Sequence, residues 1–355
     1  MKCVTPMFRR YQIGEHSKGK IVSRKEVLEN LNFNPNYISF CLDKMNAETR
    51  KKMKGYLYEQ IPCRHCWACH LNYSAEWATR IMYECKKYEH NYFVTLTFND
   101  NWLPVLDQIE YKDKIYKNPE DGSWSEGSVW EPYMHKFIHD LRQYLQREKN
   151  HTGMKYFYCM EYGETTHRPH AHILLMNCPL NTWEFDDWYQ DDNYKLHWKT
   201  NEIQQFWRYG IIDIGEVEWS SAAYVARYCT KKLHQKNNED YCKEGKLPEF
   251  IRMSRGLGMD YYREHKDEIY KNDEIVMRTV KGNVGSYKPP KAWDRKFKEE
   301  HPNQWEMIKL SRLKAAERAR KLQTEVSDYT DLKKLEMQEE KINIKAKMLP
   351  RVGEW

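Results

Sequence analysis

The alternation of apolar and polar positions is strongest in the middle of the chain. Tyr92 to Phe98 (YFVTLTF) is β-branched and aromatic and predicts a strand. Met154 to Glu161 and His170 to Met176 predict two more, joined by a short polar loop containing Gly163 and Pro169. Ile211 to Val217 predicts a fourth. Between these runs the period lengthens. PYMHKFIHDLRQYLQRE, opened by Pro132, places Phe137, Leu141 and Leu145 on one helical face. LNYSAEWATRIMYECKKYE spaces Trp77, Ile81 and Cys85 in the same way. A short helical segment near Glu202 to Tyr209 precedes Gly210, and Ser220 is the expected cap of a helix running to about His234. The stretch around Asn118 to Gly127 reads as loop. Strand, helix, strand, strand, helix, strand, helix is an α+β order, and an antiparallel sheet with helices packed on it fits it best.

The flanks are patterned differently. Residues 1 to 60 are polar and weakly periodic, and a cysteine cluster follows at Cys63 to Cys69. Beyond Lys236 the chain is irregular, Pro289 and Pro290 interrupt it, and residues 304 to 347 are charged and helix-favouring, as in a solvated arm. The expected division is an N-terminal extension over 1–89 with the cysteine segment and a helix, a core over 90–236, and a C-terminal extension over 237–355 with a charged helical tail.

Composition narrows the function classes. The 355 residues suffice for one large domain or two ordinary ones, and 31% charged residues describe a globular protein with polar arms. The net charge of +6 permits nucleic acid without requiring it. Met1 to Arg10 lacks the apolar segment of a secretory signal, and no apolar run approaches a membrane span, so no membrane role is expected. The ten cysteines then read as thiols or metal ligands rather than disulfides.

Three segments carry candidate chemistry. In RPHAHILLM, His170 and His172 share a strand face while Ala171, Ile173 and Leu175 take the other. Glu161 ends the preceding strand, and the short loop folds it back beside the histidines. Two imidazoles and a carboxylate can hold a divalent ion with positions open for a substrate phosphate. The bland alternative is two unrelated histidines on a polar strand edge. In AAYVARYCTKKL, a helical wheel groups Ala222, Ala226, Cys229 and Leu233 on one side. It sets Tyr224, Tyr228 and Lys231 opposite, with Lys232 at the margin, and so expects the tyrosines outward. A phenol can become a covalent nucleophile and a lysine can stabilise phosphate charge. An ordinary amphipathic helix is the alternative. The third segment is the cysteine run itself. Cys63, Cys66 and Cys69 give three of the four ligands of a structural Zn²⁺, with Cys85, His65 or His70 as the fourth. Plain thiols remain open. An iron–sulfur cluster lacks its fourth cysteine and following proline.

Taken together, IPCRHCWACHLNYSAEWATR, NYFVTLTFND, MEYGETTHRPHAHILLM, AAYVARYCTKKL and MSRGLGMDYY occur in an order that resembles the HUH endonucleases, the initiators of rolling-circle replication. More narrowly, the chain resembles the replication initiators of gokushoviruses, small single-stranded DNA phages of the family Microviridae. These stretches run from about Pro62 to Tyr262. The resemblance implies an HUH nuclease fold with a central ferredoxin- or RRM-like antiparallel sheet, flanking helices and helical N- and C-terminal extensions. It implies Mg²⁺ or Mn²⁺ on Glu161, His170 and His172, and Tyr224 and Tyr228 as paired nucleophiles supported by Lys231 and Lys232. Thr95, Thr97 and Phe98 would be purely structural. Single-stranded DNA and the phage origin would be the substrates, in the cytoplasm of a bacterial host. No G-x-x-x-x-G-K-[ST] segment is present, so unwinding would fall to a host helicase and synthesis to a host polymerase. The alternatives are another HUH relaxase or transposase, or a zinc-stabilised DNA-binding protein without catalysis.

Overall fold

A computed structural model describes residues 7–12, 20–22, 56–64, 66–121, 124, 127–163, 166–181, 185–190, 196–231, 238–278, 284–325, 337, 340, 341 and 344. Its contacts group the chain into two compact units, one drawn from Met1–Asn72 and Leu310–Leu349, the other from Tyr73–Lys309. Among the described residues no helix is long and apolar enough to cross a membrane.

The smaller unit holds a three-stranded antiparallel sheet of β1 (Met7–Gln12), β2 (Lys20–Val22) and β3 (Tyr56–Ile61), in the order β2-β1-β3. The N-terminal extension is therefore not simply helical, as the resemblance implied. MFRRYQ and YLYEQI alternate too weakly to announce strands, and their pairing is long-range in sequence. Helix α1 (Trp67–Cys85) follows the cysteine run and begins inside it.

The larger unit is built on a seven-stranded sheet. Its strands are β4 (Asn91–Thr97), β7 (Lys155–Tyr162), β8 (Pro169–Met176), β9 (Phe185–Gln190), β10 (Leu196–Thr200), β11 (Ile212–Glu216) and β12 (Phe250–Met253). Their order is β12-β7-β8-β4-β11-β10-β9, and every pair is antiparallel. One edge strand thus comes from beyond residue 236. Between β4 and the next helix a hairpin intervenes, β5 (Gln108–Tyr111) with β6 (Lys114–Lys117). Its turn residues Lys112 and Asp113 both have positive φ, 48° and 62°. Such turns are usually signalled by Asn-Gly or Asp-Gly, which is why the sequence does not announce a hairpin there.

Each face of the sheet buries a different set of side chains. Tyr92, Val94, Leu96 and Phe98 of β4 point to one face with Tyr158, Met160, Ala171, Ile173, Leu175, Ile212 and Ile214. Helix α2 (Glu131–Glu148), with Pro at its start as expected, covers that face through Met134, Phe137, Ile138, Leu141 and Leu145. The other face carries Phe157, Cys159, Leu174 and Met176. Ala78, Ile81 and Cys85 of α1 pack on it, as do Ala222, Tyr224 and Val225 of a later helix. The short α3 (Asn201–Gln204) is capped by the Thr200 side chain, which accepts from the Glu202 N–H. The later helix is α4 (Trp219–Lys231). It starts one residue before the expected cap, Ser220. Instead the Ser221 hydroxyl, at the third helical position, accepts from the Glu218 N–H at 2.8 Å, half of a capping box.

Beyond α5 (Asn238–Lys243) and β12, the glycine loop Arg255–Gly258 is held down on α1. Arg80 donates to the Leu257 carbonyl, and the Gly258 N–H donates to the buried Glu84 carboxylate at 2.6 Å. Gly258 has φ of 76°, and a Cβ there would stand 2.9 Å from the Arg80 carbonyl oxygen, so only glycine fits. Lys155 bridges Glu84 and Asp260 at 2.7 and 2.6 Å. Helix α6 (Met259–Asn272), the β13–β14 hairpin (Ile275–Arg278 and Val284–Tyr287) and α7 (Lys291–Glu300) gather around Tyr83, Tyr262 and Trp293. The charged arm is helical over α8 (Pro302–Glu325), and its described positions are mostly exposed.

Candidate metal centre and nucleophile

Register across three strands builds the site. Glu161 lies directly opposite His170, and His170 opposite Thr97. One step along, Cys159 lies opposite His172, His172 opposite Thr95, and Thr95 opposite Asp213. Directly opposed residues share a face, so two short rows run across the sheet beneath α4. The first row ends in solvent; the second is covered.

The expected trio converges. Glu161 Oε1 is 3.0 Å from His170 Nε2 and 3.1 Å from His172 Nε2. All three donor atoms lie within 4.8 Å of one another. The outer ring nitrogens are engaged elsewhere. His170 Nδ1 meets the Arg168 carbonyl oxygen at 3.1 Å, and His172 Nδ1 meets the Thr95 hydroxyl at 3.0 Å. A carbonyl can only accept, so His170 carries its proton on Nδ1 and turns a lone pair on Nε2 inward. Phe93 stacks on His172 with ring centroids 5.5 Å apart. Two nitrogens and one oxygen, each fixed from behind, suit a divalent ion that keeps open positions. A single ion could take all three with small side-chain shifts.

Electrostatics agree with that reading. Burial works against the Glu161 charge, but hydrogen bonds from His170 and His172 outweigh it and hold the carboxyl down at about 2. Burial also lowers the His172 imidazole, against the pull of Glu161. Both groups therefore favour their metal-binding forms at neutral pH.

Tyr224 is placed differently from expectation. It is 6% exposed and its ring meets Phe93 and His172 edge-on, where the helical wheel turns it to solvent. The wheel takes the alanine stripe as the buried side. Val225, which is fully buried, lies between that stripe and Tyr224 on the wheel, and the whole arc packs on the sheet. The consequence is favourable for chemistry: the Tyr224 hydroxyl lies 3.3 Å from His172 Nε2. Tyr228 and Lys231 lie on the same helix, but their side chains, and Lys232 altogether, fall outside the described residues.

Some participants are not legible in the sequence. Thr95 is more than a structural strand residue, because its hydroxyl orients a candidate ligand. Asp213, beside Thr95, pairs with His197 at 2.7 Å and adds its negative charge to the surroundings of His172. Its signal lies in the register of β11, not in any motif. Gly210 is required by close approach: a Cβ there would stand 2.0 Å from the Thr97 carbonyl oxygen. Arg168, whose carbonyl holds His170, ties its guanidinium to the Phe98 carbonyl and to Asp100. Cys85 packs with the apolar residues of the site face at the far end of the 19-residue α1, and is not a fourth ligand for the cysteine run.

Comparison with known proteins accounts for this arrangement. A family model for the replication-associated protein ORF2 matches residues 91–233, which run from β4 past the tyrosine helix. Replication-associated protein ORF2 of Spiroplasma virus 4 is 36% identical over 304 residues, 84% of this chain and 87% of that protein. Replication-associated protein VP4 of Bdellovibrio phage phiMH2K is 26% identical over 255 residues, covering 69% and 70%. Replication-associated protein ORF4 of Chlamydia phage 1 is 25% identical over 221 residues, covering 61% and 49%. No solved structure matches. With its sheet, its histidine–glutamate trio and a relative of this identity along most of its length, the chain belongs to the replication-associated protein family of the Microviridae.

Proposed function

We propose that this protein starts rolling-circle replication of a phage genome by nicking single-stranded DNA through a tyrosine, and later rejoins the strand. The observation that carries this reading is the Tyr224 hydroxyl at 3.3 Å from a candidate metal ligand, His172, on a face that also holds Glu161 and His170. The family relationship supports a role in replication initiation.

Glu161, His170 and His172 would hold Mg²⁺ or Mn²⁺, which when bound draws negative charge from the scissile phosphate. Tyr224 presents its oxygen to that phosphate. The Tyr224 O–P bond forms as the bond to the 3′ oxygen breaks; the phenol proton is lost to solvent and the 3′ oxygen gains one. The product is a 5′ phosphotyrosine and a free 3′ hydroxyl for a host polymerase. Tyr228, one helical turn along, attacks the regenerated origin and allows release of a closed circle. Lys231 and Lys232 are assigned to stabilising charge at the phosphate and phenolate, since a phenol ionises only near pH ~10 unaided. Unwinding is left to a host helicase, in the bacterial cytoplasm.

The test is incubation with the cognate circular single strand and Mn²⁺, followed by a search for a denaturant-resistant protein–DNA adduct. The wild type forms it. Each single Phe variant nicks but releases no closed circle. The double variant Tyr224→Phe, Tyr228→Phe forms no adduct, and an adduct from it would overturn the tyrosine assignment. DNA binding with no adduct from the wild type would favour a non-catalytic DNA-binding protein instead.

A further inference from the structure

The nicking reaction makes no use of the cysteine run, yet its geometry is that of a ligand set. Cys63 is buried, and Cys66 and Cys69 are partly buried, at the junction where β3 gives way to α1. Their three Sγ atoms lie within 4.8 Å of one another. Cys63 Sγ and Cys69 Sγ are 3.9 Å apart. A disulfide needs about 2.05 Å. Thiolates at about 2.3 Å from a tetrahedral zinc stand about 3.8 Å from each other. The observed spacing matches the second arrangement.

The backbone supports it. Arg64 adopts the left-handed conformation, φ 66°, and the following turn aims the Cys66 N–H at Cys63 Sγ, 3.2 Å away. A backbone donor on sulfur stabilises the thiolate that a metal requires. His70 is 5% exposed, and its Nε2 meets the Arg64 carbonyl oxygen at 3.2 Å, which braces the turn against the helix. Elsewhere the buried thiols are set up differently. Cys85 is pushed up to about 12 and Cys178 also upward, each by burial among apolar groups, and neither belongs to a ligand cluster among the described residues.

We propose that Cys63, Cys66 and Cys69 bind one zinc-class ion as thiolates, separate from the Glu161–His170–His172 centre, with the fourth position taken by an oxygen or nitrogen donor. Three ligands from seven consecutive residues fix the turn between β3 and the first turn of α1. The site is structural, and it stands whether or not the nicking mechanism is right.

The test uses the full chain purified without chelator. Elemental analysis should find close to one zinc per chain. X-ray absorption at the zinc edge should return three sulfur neighbours and one lighter one. His172→Ala should keep the zinc, and Cys66→Ser should lose it. In case Cys66→Ser fails to fold, the wild type carries the same test. A strong chelator should raise the number of rapidly alkylated thiols by three, and mass spectrometry should map them to Cys63, Cys66 and Cys69. Absence of zinc, fewer than three sulfur neighbours, loss of the zinc from His172→Ala, or alkylation indifferent to chelator would each overturn the proposal.

Discussion

Two ligand clusters in this chain are assembled by opposite means. The cysteine trio is local: three residues of one short turn, brought together by a left-handed Arg64 and the first turn of a helix. The Glu161–His170–His172 trio depends on the register of two strands and is braced from a third, through the Thr95 hydroxyl. The local cluster uses soft sulfur and three neighbours in sequence. The sheet cluster uses hard and intermediate donors held from behind by Arg168, Thr95 and Phe93. A turn can close around an ion that it needs in order to fold. A sheet presents its ligands already spaced, which leaves positions free for a substrate.

The comparison predicts that each cluster can be damaged without the other. The largest effect should come from His172→Ala, which removes a ligand and the contact to Tyr224. Loss of metal assistance worth several kcal/mol lowers nicking on the order of a thousandfold, while DNA binding, resting on phosphate contacts, persists. Nicking assays beside filter binding check this, and near-wild-type nicking by the variant would remove His172 from the metal centre. Thr95→Val keeps shape but deletes the hydroxyl behind His172. It should weaken Mn²⁺ affinity by about 10–100-fold, and excess Mn²⁺ should restore the nicking rate. A Mn²⁺ titration followed by nicking reads this directly, and an unchanged midpoint would make Thr95 a strand residue only.

The preorganisation itself can be probed at Gly210. Gly210→Ala forces a methyl against the Thr97 carbonyl and should cost about 1–3 kcal/mol of stability as an overpacked contact. Denaturant unfolding measures it, and the cysteine cluster should keep its metal throughout. The smallest effect concerns the clamp on the glycine loop. A hydrogen bond from Lys155 holds the Asp260 carboxyl below its ordinary value. A depressed carboxyl contributes stability that is full above its unfolded pKa, about 3.8, and lost as pH falls through the lower folded value. Asp260→Asn should therefore flatten the acid end of the stability curve, by less than about 1 kcal/mol for a pair this exposed. Thermal melts from about pH 3 to about pH 6 would show it.

Much of this is legible in the sequence, for identifiable reasons. A period of two in RPHAHILLM puts both histidines on one face whatever the fold, and a short loop leaves Glu161 few places to go. Apolar spacing announces α1 and α2 for the same reason. Legibility fails where the deciding contact is non-local or the local rule is broken. Lys112 and Asp113 turn a hairpin without glycine. β1 and β3 pair across a long stretch of chain with weak alternation. The wheel turns Tyr224 the wrong way because it shows which residues share a side, but not how wide an arc the sheet will bury. The Asp213–His197 pair enters the site only through strand order, which no motif encodes.

The pleat of β8 has a consequence for how such genes can change. Insertions within the connection over 163–168 shift no side chain from one face to the other. A single codon added or lost between His170 and Met176 would swap every later side chain across the sheet, burying polar groups among Ile173 and Leu175 and withdrawing ligands from Glu161. The strand thus acts as a parity check on length: changes by two residues preserve the pattern of faces, and changes by one destroy it. Lineages of this family should therefore record length variation in the loop and almost none in the strand.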